Sequence, residues 1–372
     1  MAGFPVLAAG LVPEACVSRP TRQCILDAVV GPASNVAEEA ARLDVLGATG
    51  RLESPADLAK ALEFTKANPT NDNWLPSRLQ HGVVNSLTRA GKYQQAVDAL
   101  GPVKAGDSGQ AQQIAVIWAT AGDRIKALNA LNGLGMGGAM QAMPIIGITF
   151  ANQGKFAEAE EFAKQNLAMH PSAHFSMALG NAYRKAGQPD KARAAYQDAL
   201  KAVDLELLGD RTVVTDFNLR DKAVLHVKLG QMDAARETLA KAVQAIETPS
   251  QGTTTEFGRA LAYGFLSQFL AASGDSGIVL AKSLVTNKTP QGTKDAIVAG
   301  IAKALAVDGK TSDAGMLIQS VGPGAARDEA ATVLALHYAK NGKLEKALTI
   351  ANEIVGERQR RITCVSIAYV NP

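Results

Sequence analysis

A chain of 372 residues is longer than one hydrophobic core usually supports, so it forms either two domains or an elongated fold with a distributed core. A net charge of +3 and a mean hydropathy of +0.00 exclude the concentrated basic surface that binding to nucleic-acid phosphates requires. Aromatic residues make up only 5% of the chain and no region alternates like a β-strand, so a helical protein with small residues at its contacts is predicted.

The N-terminal segment, residues 1–15, is apolar but lacks the Lys/Arg-bearing start of a secretory signal peptide. No stretch is long and apolar enough to span a bilayer, so we expect no direct membrane insertion. Two locations stay open. One is the bacterial periplasm, if a signal was removed and Cys16 and Cys24 form a disulfide; the other is the cytoplasm.

Cys16 and Cys24 flank a predicted loop that enters the first helix. A disulfide between them and a pair of buried thiols are equally consistent with the sequence. Cys364 lies among apolar residues near the end of the chain and is predicted to be a core residue.

Residues 1–70 are predicted to form an N-terminal segment with capping helices. Ser54 followed by Pro55 is a helix start, since a hydroxyl cap precedes proline at the first helical position, and Gly50 is a candidate turn of an irregular first repeat. A stack of helices needs terminal units with polar outer faces. We therefore assign a repeat array to residues 71–356 and a C-terminal capping helix to residues 357–372.

A repeat becomes visible within the array when its turn glycines are aligned. Each glycine follows one apolar-periodic helix and precedes another, where glycine supplies the left-handed conformation that ends a helix. Alanine stands five residues after nearly every turn glycine. A small residue stands seven residues before most of these glycines and a large residue four residues before each, so small and large residues alternate on the buried face. The glycines are Gly91, Gly122, Gly154, Gly187, Gly230, Gly274, Gly309 and Gly342.

One repeat carries the small, aromatic and alanine positions of the tetratricopeptide repeat in their order. These positions are Leu179, Gly180, Tyr183, Gly187, Ala192, Tyr196 and Ala199. The chain resembles that family over roughly residues 72–354, although Asp204 stands where the family has proline. The resemblance implies a right-handed, all-α solenoid of about eight stacked antiparallel helix pairs. It also implies a non-catalytic scaffold or adaptor for proteins that needs no cofactor.

The resemblance further implies a concave groove lined by the first helix of each pair. Reading the groove positions gives the candidate partner-binding residues Arg78, Asn85, Arg89, Asn181, Arg184, Lys185, Arg220, Lys228 and Gln268; His81, His174, Lys303 and Lys340 occupy equivalent positions. Asn85 and Asn181 match the family position that hydrogen-bonds the ligand backbone, because an amide both donates and accepts. Arginine and lysine there would favour a protein or peptide with acidic side chains. The alternative, that each is a solvated face of a helix, stays open. The two asparagines are three repeats apart, so no chaperone partner is predicted.

Four other features of the sequence are candidate binding or metal sites. Two longer intervals, residues 203–215 and 247–256, are alternative carriers of binding, or simply longer helices. The glycine-rich residues 132–138 lack the Lys-Ser/Thr of a phosphate loop and are predicted to be a flexible turn. His170 and His174 have the spacing of metal ligands but no third ligand, so no metal is predicted, and no residue is predicted to be catalytic.

The sequence leaves a second function open, a structural subunit of a larger assembly that uses apolar helix faces and solenoid ends. An adaptor is expected to present a polar groove, whereas a structural subunit is expected to expose a contiguous apolar patch when isolated.

Overall fold

The computed structural model describes residues 11–103, 107–168, 171–208, 216–248 and 255–370. The regular elements of these ranges are helices, without a β-strand, so the predicted all-α fold of paired helices is confirmed. The helices are α1 (Glu14–Ser18), α2 (Arg22–Val30), α3 (Val36–Ala48), α4 (Pro55–Ala67), α5 (Leu75–Arg89), α6 (Tyr93–Leu100), α7 (Ser108–Ala121), α8 (Arg124–Asn129), α9 (Gly135–Ala142), α10 (Pro144–Asn152), α11 (Phe156–Asn166), α12 (Ala173–Lys185), α13 (Pro189–Leu208), α14 (Asp216–Lys228), α15 (Met232–Glu247), α16 (Glu256–Ala271), α17 (Asp275–Ser283), α18 (Gln291–Val307), α19 (Thr311–Ser320), α20 (Ala325–Lys340), α21 (Leu344–Asn352) and α22 (Glu357–Ala368).

The predicted turn glycines separate the first helix of a pair from the second. Their φ angles run from 72° at Gly187 to 108° at Gly274, a region that side chains with a Cβ rarely adopt. Gly50, with φ of 66°, makes the same turn between α3 and α4, and the Ser54 hydroxyl accepts the Asp57 N–H at the start of α4. The sequence therefore located the turns correctly, including the irregular first one.

The small residues seven positions before two of the glycines lie where neighbouring helices approach closely. A Cβ added at Gly180 would lie 2.5 Å from Cε1 of Tyr196, and one added at Gly147 would lie 2.6 Å from Cε2 of Phe175. Both aromatic rings are buried. Each glycine therefore makes room for an aromatic side chain of a neighbouring helix. These aromatic side chains are not the large residues predicted four positions before each turn glycine.

The helices form two compact units: unit 1 is Met1–Arg89 with Thr255–Pro372, and unit 2 is Ala90–Thr254. In unit 2, α10 packs against α7 and α12, and α13 packs against both α12 and α14. Its core includes the buried rings of Phe150 and Phe162, which meet edge to face with centroids 6.2 Å apart.

Unit 1 joins the two ends of the chain in one stack. Helix α16 packs against α18, α18 against α20, α20 against α22, α22 against α3, and α3 against α5. Helix α2 packs on α22 as an antiparallel partner: Arg361 donates to the carbonyl of Val29 at 3.4 Å, and the Arg22 guanidinium lies 4.1 Å from the centroid of the Tyr369 ring. Helices α2 and α3 of the predicted N-terminal segment thus pack against α22 of the predicted C-terminal cap, while the boundaries after residues 70 and 356 stay predictions.

A buried carboxylate ties three helices of unit 1 together. Asp44 of α3 is only 4% exposed and accepts hydrogen bonds from Arg358 of α22 at 2.7 and 3.0 Å and from Arg78 of α5 at 3.1 Å. Burying a carboxylate is costly unless it is paired and hydrogen-bonded, so this network both requires and stabilises the meeting of α3, α5 and α22.

Cys16 and Cys24 form a disulfide between α1 and α2, with their Cα atoms 6.0 Å apart, which decides between the two possibilities that the sequence left open. Next to α1, Val12 exchanges two backbone-to-side-chain hydrogen bonds with Asn352 at 3.1 Å. Cys364 is a buried free thiol, as predicted. Among the described residues, no helix is long and apolar enough to cross a membrane.

Candidate functional site

The predicted partner-binding residues fall into two groups. In unit 1, α5 carries Arg78, Asn85 and Arg89, and α16 carries Gln268. In unit 2, α12 carries Asn181, Arg184 and Lys185, and α14 carries Arg220 and Lys228. The other groove positions divide in the same way, because His174 lies on α12 whereas His81, Lys303 and Lys340 lie on helices of unit 1.

The unit 1 group is dispersed. Helices α5 and α16 stand at opposite ends of the packing order of unit 1, so Gln268 is separated from Asn85 and Arg89. Asn85 and Arg89 are exposed, beside the Gly50 turn. Arg78 is engaged inside the protein, because its guanidinium binds Asp44 and also Asp72, the latter at 2.6 Å. A ligand-binding role for Arg78 stays a prediction, and the structure gives this side chain a stabilising role.

The unit 2 group converges on one buried ring. Tyr196 of α13 donates a hydrogen bond from its hydroxyl to Oδ1 of Asn181 at 3.0 Å, and the Lys228 ammonium lies 5.1 Å from its ring centroid. Burial raises the pKa of the Tyr196 hydroxyl, and the nearby positive charge of Arg184 opposes that rise. Two predicted residues, Asn181 of α12 and Lys228 of α14, therefore contact an aromatic residue that the sequence indicated only as a repeat position.

The hydrogen bond from Tyr196 limits what Asn181 can do. Its amide oxygen already accepts a bond, whereas its amide NH₂ makes no hydrogen bond to the described residues. Because the two ends of an amide have opposite roles, Asn181 is held in an orientation in which it presents a donor.

A second buried carboxylate reduces the positive charge of this face. Asp221 of α14 is 2% exposed and pairs with Arg220 at 2.7 Å and with Nε2 of His174 at 3.3 Å. The contact with His174 links α14 to α12. The sequence carried no signal for this arrangement beyond an acid adjacent to Arg220, and it therefore overstated how much basic charge the face presents. Lys185 is exposed and makes no ion pair with the described residues.

The remaining candidates add no site. Residues 203–208 continue α13, and residues 209–215 and 249–254 of the two longer intervals lie outside the described residues. The glycine-rich segment 132–138 forms a 3-10 turn and the start of α9, so the prediction of a flexible turn was wrong. Gly135, with φ of 67°, joins the two elements. His170 lies outside the described residues, in which no cluster of three His, Cys, Asp or Glu side chains could hold a metal ion.

Residues 172–248, which comprise α12 to α15, match the family model of the tetratricopeptide repeat. A chain in the crystal structure of the APC/C hetero-tetramer Cut9–Hcn1 is similar over 95% of this chain and 73% of its own, with 12% identity and a TM-score of 0.24, too low to support a statement about function. No curated protein matches the sequence. The chain is a tetratricopeptide-like helical repeat protein, a class whose members bind other proteins.

Proposed function

We propose that this protein is a non-catalytic scaffold that binds an extended, acidic peptide segment of a partner protein on the α12–α14 face of unit 2. The observation that carries the proposal is the contact of Asn181 and Lys228, from two different helices, with Tyr196, within the residues that match the tetratricopeptide repeat.

Each side chain has a distinct part in this proposal. Asn181, oriented by Tyr196, donates from its amide to a backbone carbonyl of the peptide. Arg184 and Lys185 attract its carboxylates, because charge-assisted hydrogen bonds are stronger than neutral ones. Asp221 holds His174 and Arg220 together, so it keeps α12 and α14 in register and sets the width of the face.

The test is affinity capture from the native organism, with captured proteins identified by mass spectrometry. Wild type is compared with the double variant Asn181→Ala/Lys185→Glu and with Lys164→Glu, which makes the same charge change at an exposed position on α11. We expect a protein that wild type and Lys164→Glu retain and the folded double variant loses. A partner that all three retain equally would refute the proposed site.

One observation favours a second function, a subunit of a larger assembly. Helix α16 of unit 1 exposes apolar side chains at every fourth position: Phe257 is 75% exposed, Leu261 47%, Phe265 39% and Phe269 38%. An apolar stripe of this kind is typical of a protein interface. If this stripe mediates assembly, wild type will sediment faster as its concentration rises, and Phe257→Ser/Leu261→Ser will remain at the sedimentation coefficient of the dilute protein.

A further inference from the structure

A cleft opens on the second-helix side of unit 2, away from the predicted partner-binding residues. It has a volume of about 590 Å³ and lies between the second helices α11 and α13, with α12 as its floor. Its lining residues belong to unit 2 alone. None of the predicted partner-binding residues lines it.

Most of the side chains that line the inside of the cleft are apolar. Phe175, Leu179 and Tyr183 of α12 form the floor, and small side chains such as Ala194 and Ala195 of α13 form much of one wall. Alanine walls leave room for side chains supplied from outside, because the interior of a protein is otherwise filled to high density.

The shape is that of a groove. Along α13 the lining runs from Lys191 to Leu205, which at 1.5 Å per residue is a length of about 21 Å. The cleft is thus an elongated groove, which suits one row of side chains from an elongated occupant.

The two walls carry opposite charges. On the α11 wall, Glu160 accepts a hydrogen bond from the Tyr183 hydroxyl, which sits at one end of the floor. On the α13 wall, the Lys191 ammonium lies 5.1 Å from the centroid of the same tyrosine ring and pairs with no carboxylate of the described residues. Asp198 and Lys201 of the same wall pair with each other at 3.1 Å and add no net charge, so Lys191 is the cation that sets the charge of this wall.

We propose that this cleft binds an amphipathic α-helix of a partner protein, which inserts one apolar row, directs acidic side chains toward α13 and directs basic side chains toward α11. The lining residues of α13 form one face of that helix, so they give the groove a straight wall along which a second helix can lie. The inference rests on the proposed function as a protein-binding scaffold and adds a second surface, independent of the α12–α14 face.

The probes are three fluorescently labelled, side-chain-bridged helical peptides that share one row of leucines. The mixed probe has glutamate on one flank of the row and lysine on the other; the second has glutamate on both flanks and the third lysine on both. Reversing a peptide in the groove exchanges the walls that its two flanks face. Each uniform probe has identical flanks, so the effect of a wall variant on its binding does not depend on the direction in which the probe lies. Binding to the full chain is measured by fluorescence anisotropy.

We expect wild type to bind the mixed probe at least about threefold more tightly than either uniform probe, the size of effect that partly exposed ion pairs give. Lys191→Glu makes both walls acidic and should shift the preference to the all-lysine probe. Lys164→Glu, with the same charge change outside the cleft, should leave the preference for the mixed probe unchanged.

Two variants test occupancy of the groove itself. Ala194→Trp fills it from an exposed position and should weaken all three probes at least about tenfold, since the row of leucines no longer fits. Leu205→Glu changes a side chain that is already 60% exposed, so the fold is retained, and it should weaken binding in the same direction. Circular dichroism confirms that each variant is folded.

The proposal is overturned if no probe binds saturably up to about 1 mM, the range of weak association. It is also overturned if Ala194→Trp and Leu205→Glu bind the peptides as wild type does. A third contrary result is a fluorescent fatty acid that binds wild type but not Ala194→Trp, while the peptides bind neither protein. None of these outcomes bears on Asn181 or Lys185, so failure here and failure of the proposed function are distinguishable.

Discussion

Asp44 shows how a single residue can unite distant parts of the chain. Its carboxylate receives guanidinium groups from Arg78 and from Arg358, which lies 314 residues further along the sequence. Removing one partner of a buried ion pair leaves the remaining charge without an opposite charge beside it, which strongly destabilises a protein.

We predict that Asp44→Asn lowers the free energy of unfolding by about 1–3 kcal/mol, below the range for a fully buried pair because both guanidinium groups reach water. Urea denaturation measures the change. Asp98→Asn, at an exposed position, is the control and should differ from wild type by no more than about 0.5 kcal/mol. Equal stability of the two variants would refute a structural role for Asp44.

The buried thiol of Cys364 should react differently in the folded and the unfolded protein. Burial raises its pKa from the usual 9.0 to about 12, so the folded protein holds it in the neutral, unreactive form. The folded state binds the proton more tightly than the unfolded state does. The resulting stability is therefore fully present below about pH 9 and is lost as the pH rises toward 12.

We expect the non-reduced native protein to resist iodoacetamide at about pH 8 and the unfolded protein to be alkylated at Cys364, as measured by mass spectrometry. Cys364→Ser should remain unlabelled in both states. Rapid alkylation of the native protein at this position would show that the thiol is accessible.

At the scale of elements, helix packing depends on glycines that the sequence pattern identified only in part. Gly147 and Gly180 stand at the aligned small position, but Gly300 of α18 does not. A Cβ at Gly300 would clash with Oγ of Ser267 and with the backbone carbonyl of Gly264 on α16, so these helices cross closely. The repeat alignment did not single out this position, because glycine shares it only at Gly82 of α5, where an added Cβ would lie 2.6 Å from Cα of Gly47 on α3.

We predict that Gly300→Ala lowers the free energy of unfolding by about 1–3 kcal/mol, because a carbonyl oxygen of the backbone cannot move aside as a flexible side chain can. Gly292→Ala is a control in the same helix, since no atom lies near its added Cβ. That substitution should be neutral or stabilise by up to about 1 kcal/mol. Thermal or urea unfolding of both variants measures the difference, and destabilisation by Gly292→Ala alone would contradict the packing.

At the scale of the whole molecule, the repeats and their turns could be predicted from local patterns, whereas the meeting of the chain ends could not. The contact of Val12 with Asn352 spans 340 residues and leaves no periodic trace in the sequence. The candidate binding site likewise has features that local patterns predict and features that they do not. Asn181 and Lys185 followed from the repeat register, but the pairing of Arg78 and Arg220 with buried carboxylates depends on tertiary contacts, so the predicted basic face is smaller than the sequence indicated.

If α22 is an internal member of unit 1, removing residues 357–372 will expose the helices that pack on it. We expect hydrogen–deuterium exchange to show lost protection in α2 and α3 and retained protection in α10 to α14. Phe162→Ala, in the core of unit 2, should produce the opposite pattern. Retained protection of α2 and α3 in the truncated chain would show that they are stable without α22.

Site-specific photo-crosslinking in cells is the most direct test of whether a partner binds on the α12–α14 face. A photoreactive phenylalanine analogue replaces Lys185 in one strain and the control residue Lys164 in another, and adducts are identified by mass spectrometry. We expect a protein adduct at position 185, with an acidic segment at the crosslink, that is lost when Asn181→Ala is added and is absent at position 164. The same adducts at both positions, or none at position 185, would contradict it.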